Sequence, residues 1–162
     1  TATFLLQRDG DVVGLNGSSV PRWPVVLGQH YLAVHHRNHA GVMTAMPLSF
    51  TAGAPMNIDL AEPATPVYGN EAASFVGDVR VLWPGDVNGD GTIRYSGASN
   101  DRDPVLAAIG GSIPTNTVSG YAPEDVNLDG LIRYAGAAND RDPILFTIGG
   151  SVPTAVRLVQ VP

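Results

Sequence analysis

Thirty-nine residues apart, the chain twice spells Asp-x-Asn-x-Asp-Gly, first as Asp86, Asn88, Asp90 and Gly91, then as Asp125, Asn127, Asp129 and Gly130. Alternate side chains in such a run converge oxygen atoms on one point. The Gly at the sixth position permits a sharp turn that lets the next main-chain carbonyl, here Thr92 or Leu131, join them. Oxygen donors without Cys or His select Ca²⁺ over Zn²⁺. Two sites of this kind, one per copy, are the chemistry the sequence announces.

The ordinary EF-hand loop closes with an acid at its twelfth position, which here is Gly97 or Gly136. The closing carboxylate must therefore come from further along, from Asp101 or Asp103 in the first copy and Asp140 or Asp142 in the second. Asp101 and Asp140 are the expected ligands. Asp103 and Asp142, each followed by Pro, read as helix N-caps that could also ligate, with Gly110 and Gly149 placed to end the short helices that follow. Ile93 and Ile132 are expected to pair one loop with the other. Carboxylates gathered this closely repel each other without a cation, whereas a divalent ion reverses that logic.

The elements that position these residues repeat as well. Residues 85–115 and 124–154 align without a gap and are identical at 22 of 31 positions, including Ile-Arg-Tyr (93–95 and 132–134) and Asn-Asp-Arg-Asp-Pro (100–104 and 139–143). Two copies make a paired module. Ahead of it, residues 1–84 read as short strands separated by turns: Thr1–Gln7, Val12–Leu15, Trp23–Leu27, Tyr31–His36, Val42–Phe50 and Val79–Trp83, with Asp9-Gly10 and Asn16-Gly17 as hairpin signals. The Pro-rich stretch 51–68 is not assigned. Such a run predicts a small β-sandwich, and Gly28-Gln29-His30-Tyr31 resembles the Gly-x-x-Tyr approach to a strand in many immunoglobulin-like domains. Residues 155–162, apolar and rich in Val, are expected to form a terminal strand that returns to the sandwich.

The fold class expected is thus mainly β with short helices, an immunoglobulin-like sandwich (1–84) followed by a tandem calcium-binding module (85–154) and a C-terminal strand (155–162). Composition agrees. All nine basic residues are Arg, twelve of the fifteen acids are Asp, and there are nineteen Gly and thirteen Pro but no Cys. Disulfides are excluded, a net charge of −6 argues against nucleic acid as a partner, and no apolar run is long enough to span a membrane.

The two half-loops with their short helices resemble a dockerin-type calcium module. The Gly-Asp-x-Asn-x-Asp-Gly, Tyr-x-Gly and Asn-Asp-Arg-Asp blocks, with Phe4-Leu5-Leu6 through Gly10 and His36-Arg37-Asn38-His39 before them, are similar to the C-terminal region of large Bacteroidota surface proteins labelled hemagglutinin-like. The whole chain also resembles pilus-like fibre subunits assembled by donor-strand exchange. These resemblances imply an extracellular or cell-surface location in a bacterium, a non-enzymatic role, and self-association into a helical filament through the N-terminal strand 1–7. The competing expectation is a monomeric dockerin-like anchor or carbohydrate-binding adhesin, with a cohesin-like or glycan partner. The longer repeat and displaced closing acid set the module apart from ordinary dockerins.

Two other constellations invite chemistry. His30, His35, His36 and His39 lie within ten residues, but adjacent His35 and His36 on a strand face opposite ways and cannot share one ion without a bulge. Hydrogen-bonded histidines, with His36, Asn38 and His39 organising a loop, are the expectation. An enzyme is not expected: eight of the twelve Asp lie in the repeats, three scattered Glu suggest no catalytic pair, and neither a nucleophile elbow nor a phosphate loop is present.

Overall fold

The computed structural model describes every residue except Arg8, Trp23, Ala54 and Pro162. Trp23, which opens one expected strand, and Pro162, which ends the expected tail, lie outside the described residues. The chain is mainly β; among the described residues there are two short helices, and the strands pair as six two-stranded antiparallel ladders.

The N-terminal ladders follow turn chemistry and are cut short where donors are missing. β1 (Leu5–Leu6) folds back on β2 (Val12–Val13), with Leu5 opposite Val13. The Asp9-Gly10 turn works because Gly10 adopts φ +95° and Asp9 Oδ1 accepts the Asp11 N–H at 3.1 Å. Asn16-Gly17 instead closes a small loop, in which Asn16 Oδ1 accepts the N–H groups of Ser18 and Ser19 at 3.1 and 3.0 Å. Strand structure expected over 23–27 begins later, at β3 (Gly28–His30), after Pro21 and Pro24. β4 (Ala33–Val34) pairs with β5 (Val42–Met43), and β3 with β6 (Leu48–Phe50). The expected continuous strand 42–50 breaks between them because Thr44 and Ala45 turn to residues 66 and 67 and Pro47 has no N–H. The hairpin of β7 (Ser74–Val76) and β8 (Val79–Val81) was half foreseen. Arg80 of β8 is buried and donates to the carbonyls of Leu60, Glu62 and Pro63, each at 2.9 Å, which fixes the Pro-rich stretch.

In the repeat region each copy supplies a loop strand, a helix and a following strand: β9 (Thr92–Arg94), α1 (Arg102–Ala108) and β10 (Thr117–Ser119), then β11 (Leu131–Arg133), α2 (Arg141–Thr147) and β12 (Val156–Leu158). The strand after one helix pairs with the loop of the other copy, β10 with β11 and β12 with β9, in the same register. This corrects two expectations. The loops do not pair with each other through Ile93 and Ile132, and the terminal strand returns to the first loop, where the Val159 N–H reaches the Gly91 carbonyl at 2.9 Å.

The helices cross over in the same way, α1 packing on β11 and α2 on β9. One core results, made of Val87, Ile93, Val105 and Ile109 with their counterparts Val126, Ile132, Ile144 and Ile148, plus Ala40 from the N-terminal part. Ile93 and Ile144 are fully buried, and side chains of that size each stabilise the fold by about 1.5–3 kcal/mol. Both helices end where the sequence placed Gly. The N–H groups of Gly110 and Gly111 reach the carbonyls of Ala107 and Leu106 at 3.0 and 2.9 Å, with Gly110 at φ +102°. That is a Schellman closure.

Residues 38–40 tie the two parts together. The Ala40 N–H bonds the Trp83 carbonyl and the Gly85 N–H bonds the Asn38 carbonyl, both at 2.8 Å. Among the described residues no helix is long and apolar enough to cross a membrane.

Candidate metal centre

Each Asp-x-Asn-x-Asp-Gly run is already wound into a loop by its own side chains. Asn88 Oδ1 accepts the Asp90 N–H and Asp90 Oδ1 accepts the Thr92 N–H, both at 2.8 Å. In the second copy Asn127 and Asp129 do the same for Asp129 and Leu131, both at 2.9 Å. Gly91 and Gly130 sit at φ +78° and +83°, the left-handed turn the sixth position requires. Nested Asx turns of this kind aim successive side-chain oxygens toward the inside of the loop.

The first ligand position stands out. Asp86 is 9% exposed and Asp125 2% exposed, and in both the Oδ1 atom is buried with no hydrogen-bond partner. In Asp125 the other oxygen is occupied, accepting the Gly130 N–H at 3.1 Å. A buried unpaired carboxylate oxygen costs more than the 1–3 kcal/mol of a neutral group. The same oxygen is left unpaired at the same position of both loops.

Asp101 and Asp140, the expected closing ligands, are fully buried and do a different job. Asp101 Oδ1 accepts the N–H groups of Val87 and Asn88 at 2.8 and 3.2 Å, and Oδ2 that of Arg94 at 2.8 Å. Asp140 repeats this on Val126, Asn127 and Arg133 at 2.7, 3.1 and 2.8 Å. Each carboxylate clamps both ends of its loop, using three of about four acceptor positions. Burial pushes the Asp101 carboxyl up to about 6, against the pull of those three N–H groups, and the nearby Asp86 charge pushes the same way. Burial also raises Asp140, next to Asp125, and raises Asp86. In each copy one pair of acids, Asp86 with Asp101 and Asp125 with Asp140, is near enough for one charge to disfavour the other.

Asp103 and Asp142 are corrected as caps. Pro104 and Pro143 occupy the third helical position, and the cap is Asn100 or Asn139, whose Oδ1 accepts the Asp103 or Asp142 N–H at 2.9 and 3.1 Å. Asp103 and Asp142 in turn accept from the side-chain Nδ2 of Asn100 and Asn139 at 2.8 Å, so each pair is bonded in both directions. Asn88, Asp90, Asn100 and Asp103 line one open hollow over the first loop.

Two features were missed in the sequence. Arg94 and Arg133 donate to Asp90 and Asp129 at 3.0 and 2.5 Å, which holds the Asp129 carboxyl below its usual range. The i,i+4 spacing was available as a signal. The second loop is also gripped from the N-terminal part by Asn38, which no local pattern reveals. As for the histidines, Asn38 Oδ1 accepts from His39 Nδ1 at 2.7 Å, and His36 Nδ1 lies 3.2 Å from the same nitrogen. Burial, with His36 and Arg37 nearby, drives His39 down to about 3. His30 Nε2 bonds the Val26 carbonyl apart from them.

The donor set fits a hard cation through Asp, Asn and main-chain oxygen (Asp86, Asn88, Asp90 and Thr92; Asp125, Asn127, Asp129 and Leu131) rather than through acids alone. Among the described residues no three His, Cys, Asp or Glu side chains form a metal-holding group by themselves. Compared with family models, curated proteins and solved structures, the chain finds no match in any of the three.

Proposed function

We propose that the chain is a calcium-stabilised extracellular structural subunit without enzymatic activity, an immunoglobulin-like sandwich joined to a dockerin-like module that binds two Ca²⁺. The observation that carries this reading is the pair of buried, unpartnered Oδ1 atoms of Asp86 and Asp125. Ca²⁺ would be held by those carboxylates together with Asn88, Asp90 and the Thr92 carbonyl, or Asn127, Asp129 and the Leu131 carbonyl. Bound calcium neutralises the converging acids and staples a chain that has no Cys. Asp101 and Asp140 hold the loop ends in register from beneath.

We further propose that subunits join into a pilus-like filament by exchanging the N-terminal strand. Support comes from the exposure of β1 and β2: Leu5, Leu6 and Val12 are 41%, 48% and 39% exposed, and an isolated two-stranded hairpin is marginal in water. A strand so loosely held is available to a neighbour whose N-terminal ladders lack a partner. The pairing of Leu5 with Val13 within one chain favours the second reading, a monomeric anchor or adhesin module. Negative-stain imaging and sedimentation of the calcium-loaded chain decide between them. Fibres that vanish on removal of residues 1–7, with calcium uptake retained, are expected. Particles that stay monomeric at high concentration would establish the monomeric module.

A further inference from the structure

The two loops are near copies, yet among the described residues the N-terminal part touches only one of them through a cation. Asn38 is fully buried, and its amide donates to the carbonyls of Pro123 and Asp125, both at 2.7 Å. Its neighbour Arg37 donates from Nε to the Ala122 carbonyl at 3.1 Å, and its guanidinium lies 3.7 Å over the Tyr121 ring. The same side chain brings Nη2 to 3.6 Å from Asp125 Oδ2. Among the described residues the first loop has no such neighbour. Beside Asp86 the surface is lined by His35, His36 and His39, and among the described residues Asp86 makes no ion pair. The Arg94–Asp90 and Arg133–Asp129 pairs occur in both copies and cancel in the comparison.

We infer that Arg37 is a positioning residue that makes the two calcium sites unequal, holding a positive charge against Asp125 so that the first site fills before the second. The inference rests on the calcium reading above. Asp125 divides its carboxylate: Oδ2 faces Arg37 and the Gly130 N–H, while the unpartnered Oδ1 is left for the ion. An ion on one oxygen and a guanidinium at the other stand about 7 Å apart, given calcium–oxygen distances of about 2.4 Å. In a water-like dielectric, repulsion between a double and a single charge at that distance weakens binding roughly tenfold. Asn38 keeps its grip throughout, because its bonds are to main-chain carbonyls that carry no ion. Filling the second site therefore loosens the Arg37 contact and leaves the Asn38 contact, so calcium tunes the joint between the two parts of the chain.

The test is calorimetric titration of the full chain with Ca²⁺. Asp86→Asn leaves the second site to report and Asp125→Asn leaves the first, each with and without Arg37→Gln. Arg37→Gln is expected to tighten the second site roughly tenfold and to leave the first within twofold. Arg37→Lys, which keeps the charge but not the ring contact, should stay weak at the second site. Weaker or unchanged binding there in Arg37→Gln overturns the inference, since a merely structural arginine would give that result. A wild-type chain that takes up no calcium overturns the underlying reading as well, and is recognised in the first titration.

Discussion

Replacing Asp86 and Asp125 together by Asn should separate calcium binding from folding. The change is isosteric and removes one buried negative charge per loop, at the atom that has no partner. With calcium a thousandfold above its dissociation constant, ligand linkage contributes about 4 kcal/mol per site, so about 8 kcal/mol for two. For a chain of 162 residues, 1 kcal/mol moves the melting temperature by about 2–4 °C, so calcium should raise it by roughly 15–30 °C. The double variant should lose nearly all of that increment and each single variant about half. In chelator the order reverses for Asp86. Burial holds the Asp86 carboxyl above its usual range, so its ionised form is disfavoured in the metal-free fold and Asp86→Asn should melt at or slightly above wild type, whereas Asp125→Asn also gives up the Arg37 contact at 3.6 Å and should not gain. Scanning calorimetry with and without chelator reads both limbs. If the double variant is destabilised equally in both conditions, the carboxylates serve only the fold and the calcium argument fails.

The contribution of Asp101 to metal-free stability should fall as pH rises from about 4 to 6. A carboxyl whose folded value lies above its unfolded one stabilises below the unfolded value, and that contribution is lost as pH climbs through the folded value. Burial raises Asp101 from 3.8 to about 6, which amounts to about 3 kcal/mol, and raises Asp86 and Asp140 in the same direction, while Asp129 opposes them through Arg133. His39, lowered by burial to about 3, acts in the opposite sense and gains stability as pH rises toward 6.5. Chemical denaturation in chelator is therefore read as the difference between wild type and Asp101→Asn. The wild type should lose stability relative to the variant over this range, and a relative gain would contradict the burial argument, while saturating calcium should reverse the trend, since it needs ionised ligands. Val159→Pro removes the N–H that reaches Gly91 from the terminal strand. It should weaken calcium at the first site and spare the second, as titration in the Asp86→Asn and Asp125→Asn backgrounds would reveal; equal loss at both sites would mean that the strand supports the module as a whole.

The repeat, the Asx-turn loops and the helix-ending glycines were legible because each is local: a few residues fix the geometry wherever they occur. The Asp9-Gly10 hairpin belongs to the same class. What could not be read is the pairing of elements far apart in the chain. Ile93 and Ile132 advertise burial, and both are buried, but their apolar character does not say which strand lies alongside. Asp101 is a similar case. Acid type and position mark it as a ligand, whereas the three N–H groups around it are a property of the folded loop, and only their distances show a clamp. Asn100 was overlooked as a cap because Asp103 before Pro104 looked sufficient. Yet Pro is tolerated beyond the first helical position as well, because the N–H groups of the first turn have no partner within the helix.

The crossed strands change what the two sites can do to each other. β12, which follows the second helix, is the partner of the first loop, and β10, which follows the first helix, is the partner of the second. Ordering either loop thus fixes a strand that continues from the other copy's helix, and the helices themselves pack on the opposite loop strands over a shared core of Val and Ile. Neither copy can bury its apolar face alone, so the natural unit of folding is the pair. On the calcium reading proposed above, an ion at one site would stabilise the other site's scaffold without touching its ligands, a coupling carried by packing that Arg37 would offset at the second loop through charge. The same interlock explains how a Gly-rich chain without disulfides holds together: the terminal strand is threaded back to the first loop, and the first loop is closed from below by Asp101, so loosening the end of the chain means opening that loop.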